Sequence, residues 1–175
     1  MLIFILIIVH FGESDRLKLK FNTKYIQTKG LVNYWPFNSH IQDVVGGVKL
    51  YNGKNAKLVP DRFGRSLSAL SFNGGYYQLP PGSYLSNNFT VSVWVYERSY
   101  TYWHRIFDFS NGPGFDAVCF AYTYETNGHP VFDYTFDSSL TATLTHSSIL
   151  PLNVPSHEGN CGGLVTESNT VPSII

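Results

Sequence analysis

A short aromatic segment offers the first candidate for binding chemistry. Residues 99–104 contain Tyr100, Tyr102 and Trp103, between two segments with strand-like patterns. Sugar rings stack on exposed aromatic faces, and Tyr and Trp combine a flat apolar body with a polar tip. Loops on a rigid scaffold also often carry recognition residues. We therefore expect ligand binding at these three residues, with burial of their rings in the core as the open alternative.

A second group of aromatic rings lies in a predicted hairpin further along the chain. Tyr122, Tyr124 and Tyr134 alternate with smaller residues, and side chains that alternate in this way share one face of a strand. These rings could form a second stacking surface for a ligand. Packing in the core is the simpler interpretation.

The acidic residues do not form a recognisable catalytic pattern. Asp133 and Asp137 share a strand face but lie four residues apart, or about 13 Å. Glycoside hydrolysis needs two carboxylates about 5–5.5 Å or about 6.5–9.5 Å apart. The G-x-S-x-G signature of serine hydrolases is also absent. We therefore expect no enzyme.

Charge and composition restrict the class of partner. The chain has 12 basic and 12 acidic residues, and its net charge of zero gives no reason to expect a nucleic-acid partner. Every Lys and Arg lies at or before Arg105, and seven acidic residues follow it. This asymmetry fits either metal binding or a fold that needs few lysines. Tyr and Phe are abundant, which favours strands.

The N-terminus predicts secretion. Residues 1–11 read MLIFILIIVHF, too short a run for a membrane span of about 20 residues but suited to the apolar region of a signal peptide. We predict a signal peptide over residues 1–14 and a basic leader over 15–30. A buried strand is the open alternative for the apolar run. No stable membrane span is expected.

Two further features agree with an extracellular location. Asn88 begins the triplet Asn-Phe-Thr, which is an acceptor for N-glycosylation in the secretory pathway. Cys119 and Cys161 are the only cysteines, and they could form one disulfide in an oxidising compartment. A free, buried Cys119 is the alternative.

Strand patterns dominate the body of the chain. Residues 89–96 alternate strictly, with Phe89, Val91, Val93 and Val95 on one face. Asn127-Gly128 marks a turn between two further strand-like segments. Many short strands with regular turns predict an all-β, antiparallel β-sandwich.

Four motifs carry a family resemblance. Leu31–Phe37, Asp61–Gly64, Leu70–Gly74 and Phe89–Val95 follow one another in order. This succession resembles the N-terminal half of laminin-G-like domains of the concanavalin-A-like lectin/glucanase superfamily, over residues 31–153. The resemblance implies a jelly roll of two antiparallel sheets. It also implies extracellular binding of glycans or proteins, often with calcium.

The chain departs from the family at two places. Asn38 stands where family members usually have Asp, and residues 154–175 show no strand alternation where further strands would follow. We predict an irregular, non-family tail over 154–175 and a jelly roll that is incomplete at its C-terminal end. The Glu-x-Asp-x-x-Glu pattern of the jelly-roll glucanases is absent, so a glycoside hydrolase is the lesser alternative.

One loop is rich in oxygen atoms that suit a metal. Asn38, Asp43 and the carbonyls near Gly46-Gly47 form this candidate calcium site, to which the resemblance also points. The alternative is that both side chains cap turns. Together these features predict an extracellular, non-catalytic binding or adhesion module for carbohydrate or glycoprotein. A structural or interaction fragment of a larger surface protein is the alternative function.

Overall fold

The structure is a computed structural model that describes residues 2–10, 30–85, 88–110, 117–136 and 140–163, with side chains described for 30–85, 89–110, 117–135 and 142–156. These residues contain strands and no helix, and their resolved strand registers are antiparallel. The predicted all-β, antiparallel β-sandwich class is thereby confirmed. The strands are β1 Leu2–His10, β2 Leu31–Trp35, β3 Tyr51–Val59, β4 Ala69–Gln78, β5 Asn88–Tyr96, β6 His104–Phe109, β7 Ala117–Thr123, β8 Val131–Phe136, β9 Leu140–Thr145 and β10 Pro155–Gly163.

The strands form two sheets. The first has the order β10-β5-β1-β4-β3, with β2 paired to β1, and the second is the meander β6-β7-β8-β9. The chain divides into two compact units: the first contains Met1–Val95 and His157–Ser173, and the second contains Tyr96–Ser156.

The alternation of β5 produces the apolar face that the sequence predicts. Phe89, Val91, Val93 and Val95 are buried, whereas Trp94 between them is half-buried. Burying each of these side chains contributes about 1.5–3 kcal/mol before entropy costs are subtracted. These residues form part of the core of the first unit.

A tight turn follows β3 in the first unit, as the motif at Asp61–Gly64 predicts. The amide of Gly64 donates to the Asp61 carbonyl at 3.0 Å, and Gly64 adopts a φ of 78°, which glycine reaches without strain. The buried Asp61 carboxylate accepts from the Arg65 side chain at 2.6 Å, and the Arg62 guanidinium lies 3.6 Å from the Trp94 ring centroid. The turn is therefore held at its base by an ion pair and at its tip by a cation–π contact.

The apolar N-terminal segment forms a strand. β1 pairs with β2 through Leu6 opposite Trp35 and Ile8 opposite Asn33, and it lies between β5 and β4 in the sheet. The sequence predicts a signal peptide here, with a strand as the alternative, and the structure contains the strand. The basic leader over 15–30 falls outside the described residues except for Gly30.

The C-terminal tail differs from its prediction. β10 occupies Pro155–Gly163 and lies beside β5, so the expectation of an irregular tail is wrong for these residues. A strand at the end of a sheet can be held by main-chain hydrogen bonds, which do not need an alternating apolar pattern. Residues 164–175 lie outside the described part.

The second unit is built around one row of cross-strand side chains. Phe107 lies opposite Phe120, Phe120 opposite Phe132, and Phe132 opposite Leu144. The three Phe side chains are buried, and the first two rings are 6.0 Å apart. Such cross-strand aromatic pairs stabilise a sheet beyond the area they bury. The row fixes the register of all four strands.

Candidate functional site

The predicted recognition segment connects β5 to β6 in the second unit. Its base is fastened where the amide of Asn153 donates to the Glu97 carbonyl at 2.7 Å. Its end is fastened where the amide of Trp103 donates to the Tyr124 carbonyl at 3.0 Å. Trp103 has a φ of 50°, which is unusual for a bulky side chain and is retained only where the surroundings hold it.

Three rings lie together at the surface of this segment, and we call Tyr102, Trp103 and Tyr124 the aromatic platform. The Tyr124 ring lies 4.8 Å from that of Trp103, edge to face, and 5.7 Å from that of Tyr102. Tyr102 is 65% exposed and Tyr124 is 40% exposed. The platform therefore offers apolar ring surface to solvent at a place where the backbone is fixed.

Polar groups border the platform. The Arg105 guanidinium lies 4.8 Å from the Trp103 ring centroid, and its Nε lies 3.5 Å from the Asp108 carboxylate. A side-chain hydrogen bond with Tyr102, together with its charge, raises the pKa of Tyr124 above the ordinary value of 10.0. The Tyr124 hydroxyl is therefore neutral at physiological pH and can both donate and accept hydrogen bonds.

Tyr100, the remaining residue of the predicted binding set, packs inward. Its ring stacks on Tyr122 at 6.3 Å, and its hydroxyl donates to the Leu150 carbonyl at 2.5 Å. Gly128 lies so close that an added Cβ would stand 2.6 Å from the Tyr100 ring. The structure thus separates Tyr100, which holds the loop in place, from Tyr102 and Trp103, which face solvent at least in part.

The second predicted stacking surface is not formed. Tyr122 is fully buried, and its hydroxyl donates to the Pro151 carbonyl at 2.7 Å. Tyr124 instead joins Tyr102 and Trp103. The antiparallel pairing of β6 with β7 brings His104 opposite Thr123, and this register places Tyr124 beside Trp103, which the sequence by itself does not indicate.

Sequence reasoning also missed a buried acid–base pair at the two ends of the segment. Glu97 is fully buried, and its Oε2 lies 3.1 Å from Nδ1 of His104. The amide of Arg98 donates to the other carboxylate oxygen at 2.8 Å. Burial lowers the pKa of His104 below 6.5, and the attraction of Glu97 offsets this only in part.

Asp43, a predicted calcium ligand, is buried and hydrogen-bonded to nitrogen. One carboxylate oxygen accepts from the amides of Tyr34 and Val45, at 2.8 and 2.9 Å. The other accepts from the Asn33 side chain and the Gly46 amide, at 2.5 and 3.0 Å. Four N–H donors therefore surround this carboxylate, so it acts as the turn cap that the sequence left as the alternative.

Asn38, the other predicted ligand, is exposed. Among the residues with described side chains, no group of three or more His, Cys, Asp or Glu could hold a metal ion. The calcium site stays a prediction, and it would have to rest on Asn38 and backbone carbonyls, because the Asp43 oxygens are occupied by N–H donors.

The remaining predicted sites are only partly described. Asn88 begins β5, but its side chain lies outside the described residues. Cys119 is a buried, free thiol, and burial, followed by the nearby Asp133, raises its pKa to about 11. This is the free, buried Cys119 that the sequence left as the alternative to a disulfide, and the Cys161 side chain is outside the described part. Asp137 is likewise outside, whereas Asp133 accepts from the Thr143 hydroxyl at 2.7 Å.

In the part of the chain that the structure describes, no helix has the length and apolarity to cross a bilayer. Comparison of the chain with protein-family models, with curated proteins and with solved structures gives no match.

Proposed function

We propose that this protein is an extracellular, non-catalytic binding or adhesion module that recognises carbohydrate, free or on a glycoprotein, through the aromatic platform. The observation that carries the proposal is the cluster of Tyr102, Trp103 and Tyr124, with the first of these 65% exposed. Exposed aromatic surface of this kind is costly in water and is commonly found at binding sites.

The chemistry of the platform suits a sugar. The C–H face of a pyranose ring can stack on Tyr102 or Trp103, while its hydroxyl groups meet the Tyr124 hydroxyl and the Arg105 guanidinium. The Trp103 amide is hydrogen-bonded to the Tyr124 carbonyl, directly after β7, so the loss of backbone entropy when a ligand binds is reduced at this residue. A rigid aromatic surface with polar groups at its border is the arrangement expected for glycan recognition.

The sequence supports an extracellular location for this activity. Asn88 begins a glycosylation sequon, which is an acceptor only in the secretory pathway. The four motifs between Leu31 and Val95 resemble laminin-G-like domains, for which extracellular ligand binding, often with calcium, is expected.

Glycan-array screening of the wild-type protein, followed by calorimetry with the best ligand, tests the proposal. Tyr102→Ala should weaken binding roughly fivefold, because a stacked ring contributes on the order of 1 kcal/mol. Tyr76→Ala is the matched control, since Tyr76 is 49% exposed on β4 of the first unit, and it should bind like the wild type.

Two results would count against the proposal. An unchanged affinity in Tyr102→Ala would show that the ligand binds elsewhere than on the platform. Failure of the wild type to bind any glycan would favour the alternative, an interaction fragment of a larger surface protein.

A further inference from the structure

We propose that the loop between β3 and β4, residues 60–68 of the first unit, docks the protein on an anionic lipid surface. In the docked state the Phe63 ring is inserted among the headgroups, and the Arg62 guanidinium binds an anionic headgroup. We call residues 60–68 the β3–β4 loop, which contains the tight turn at Asp61–Gly64. Lipid docking of this kind is separate from glycan recognition, because the aromatic platform belongs to the second unit.

Two apolar side chains of the β3–β4 loop lie in solvent. Phe63 is 68% exposed, more than any other large apolar or aromatic side chain in the described part, and Leu67 is 46% exposed. The loop joins two antiparallel neighbours and turns tightly at Phe63, so the ring stands at a protruding tip rather than in a cleft. Apolar surface gains free energy when it leaves water. The tip is therefore suited to enter an apolar phase.

Two guanidinium groups flank the Phe63 ring. The Arg62 guanidinium lies 4.6 Å from the Phe63 ring centroid and 3.6 Å from that of Trp94, so it contacts both rings. The Arg65 guanidinium lies 5.3 Å from the Phe63 ring centroid. An arginine can keep its charged head in a polar layer while its stem lies along apolar surface. This arrangement suits a boundary between charged headgroups and acyl chains.

The charge of Arg62 is available to a partner. The neighbouring Asp61 is buried, and its carboxylate accepts from Nε of Arg65 at 2.6 Å. Among the residues with described side chains, no carboxylate forms an ion pair with Arg62, which contacts the two rings instead. Its N–H donors can therefore bind an anionic group, and their planar arrangement matches phosphate and carboxylate oxygens.

Hydrogen bonds to the backbone hold the tip in this arrangement. The Asp61 carboxylate accepts from the amides of Phe63 and Arg65, at 2.9 and 3.0 Å. The amide of Ser68 donates to the Val59 carbonyl at 2.9 Å and closes the base of the loop. Because the tip is ordered before it meets a surface, the loss of backbone entropy on docking is reduced.

The rest of the first unit adds positive charge to the surface. Its two carboxylates among residues 30–85 and 89–95, Asp43 and Asp61, are buried, at 1% and 8% exposure. The exposed charged residues in these ranges are all cations: Lys49, Lys54, Lys57, Arg62 and Arg65. Anionic lipids attract cations that lie near the membrane surface. The described surface of this unit is therefore complementary in charge to an anionic lipid surface.

The shape of the tip favours a lipid surface over other anionic partners. A small anionic ligand is normally bound in a concave site, whereas this tip protrudes. An acidic polypeptide would need a pocket of matching shape to cover the Phe63 ring. A lipid surface accepts the ring and the cations together, because its headgroups are charged and the layer beneath them is apolar.

Co-sedimentation of the full chain with vesicles is the first test. The vesicles contain phosphatidylcholine alone, or phosphatidylcholine with about 30 mol% phosphatidylserine. We expect binding to the anionic vesicles to be at least about fivefold tighter than binding to the neutral vesicles. Binding to the anionic vesicles should weaken as sodium chloride is added, because salt screens the attraction.

Substitutions of Phe63 test the insertion of the ring. Phe63→Ala should weaken binding to the anionic vesicles about tenfold, because the apolar ring is lost. Ile149→Ala is the matched control, since Ile149 is an apolar side chain of the second unit that is 57% exposed, and it should bind like the wild type. Phe63→Trp should also bind like the wild type. Its tryptophan emission should be quenched by brominated acyl chains more strongly than that of the wild type.

A substitution of Arg62 tests the role of charge and does not depend on the result with Phe63. Arg62→Gln should weaken binding to the anionic vesicles about fivefold and leave binding to the neutral vesicles unchanged. Arg62→Lys keeps the charge and should retain more of the affinity than Arg62→Gln. Circular dichroism melts check that each variant stays folded.

Several results would overturn the proposal. Equal binding of the wild type and Phe63→Ala to the anionic vesicles would show that the ring does not insert. Equal binding of the wild type to the neutral and the anionic vesicles would remove the role of charge. The proposal also fails if neither kind of vesicle is bound, and retention of the wild type on immobilised polyglutamate would then identify an acidic polypeptide as the partner.

Discussion

The carboxylate of Asp43 accepts a hydrogen bond from the side-chain amide of Asn33, 2.5 Å away, although ten residues separate them in the chain. Both side chains are buried. The same carboxylate also accepts hydrogen bonds from the backbone amides of Tyr34, Val45 and Gly46. It therefore joins β2 to the loop that follows it and keeps several donors satisfied.

We predict that Asp43→Ala lowers the free energy of unfolding by about 2–4 kcal/mol, because it leaves buried N–H groups without acceptors. Urea unfolding followed by circular dichroism measures the loss. Asn38→Ala, at an exposed position in the same loop, should change stability by less than about 0.5 kcal/mol. Equal effects of the two substitutions would show that the hydrogen bonds of Asp43 are not decisive.

Calcium should have little effect on thermal unfolding. The Asp43 oxygens are occupied by N–H donors, which cannot be exchanged for a cation without breaking the turn. We expect the Tm in millimolar calcium and in EDTA to agree within about 1 °C. A Tm that rises with calcium, and does so less in Asn38→Ala, would instead support the calcium site that the sequence predicts.

The ion pair between Asp61 and Arg65 should make stability depend on acid pH. Burial would raise the pKa of Asp61, but hydrogen bonds from Arg65, together with its charge, outweigh this and lower the pKa below 3.8. The resulting stabilisation is present above pH 3.8 and is lost as the pH falls through the folded-state pKa.

Arg65→Met should therefore lower the free energy of unfolding by about 1–3 kcal/mol at neutral pH, since it leaves a buried carboxylate without its cation. Below about pH 3, where the carboxylate is protonated, the loss should be smaller. Urea titrations at several pH values measure this difference. Arg62→Met is the control, because Arg62 contacts the Phe63 and Trp94 rings rather than the carboxylate. A stability loss in Arg65→Met that is the same at every pH would argue against the ion pair.

Gly128→Ala should destabilise the second unit through two separable effects. The φ of 77° strains any L side chain, and the new Cβ would stand 2.6 Å from the Tyr100 ring and 2.8 Å from Ile149. Gly64→Ala isolates the first effect, since Gly64 has a φ of 78° and nothing lies within 4 Å of its Cβ position. We expect the free energy of unfolding to fall by about 1 kcal/mol in Gly64→Ala and by about 2–4 kcal/mol in Gly128→Ala. Equal losses would mean that the Tyr100 ring moves aside without cost.

Removal of residues 1–14 should lower the Tm of the protein. β1 lies between β5 and β4, so its loss leaves the edges of both neighbouring strands unpaired. Circular dichroism melts of the full chain and of residues 15–175 measure the difference. Equal Tm values would show that the segment is dispensable for the fold, as is expected of a signal peptide, and N-terminal sequencing of the secreted protein would then locate the cleavage site.

Much of the strand content could be predicted from the sequence, because local alternation reports which face of a strand is apolar. The pattern at Phe89–Val95 identifies the buried face of β5, and Asn127-Gly128 identifies the turn between β7 and β8. β10 could not be predicted because Pro155–Gly163 has little apolar alternation and is defined by backbone pairing. β9 does alternate, with Leu140, Ala142 and Leu144 on one face, so the sequence carries a signal for it that was overlooked.

At the candidate site, too, the sequence determines some features and the tertiary structure decides others. The sequence alone determined that Tyr100, Tyr102 and Trp103 lie in one segment between strands. Only the tertiary structure decided that Tyr100 packs inward on Tyr122, that Tyr124 completes the platform, and that Glu97 and His104 meet across the loop. Ring exposure and side-chain pairing depend on contacts between residues that are distant in sequence, and these contacts arise only when the strands are aligned in register.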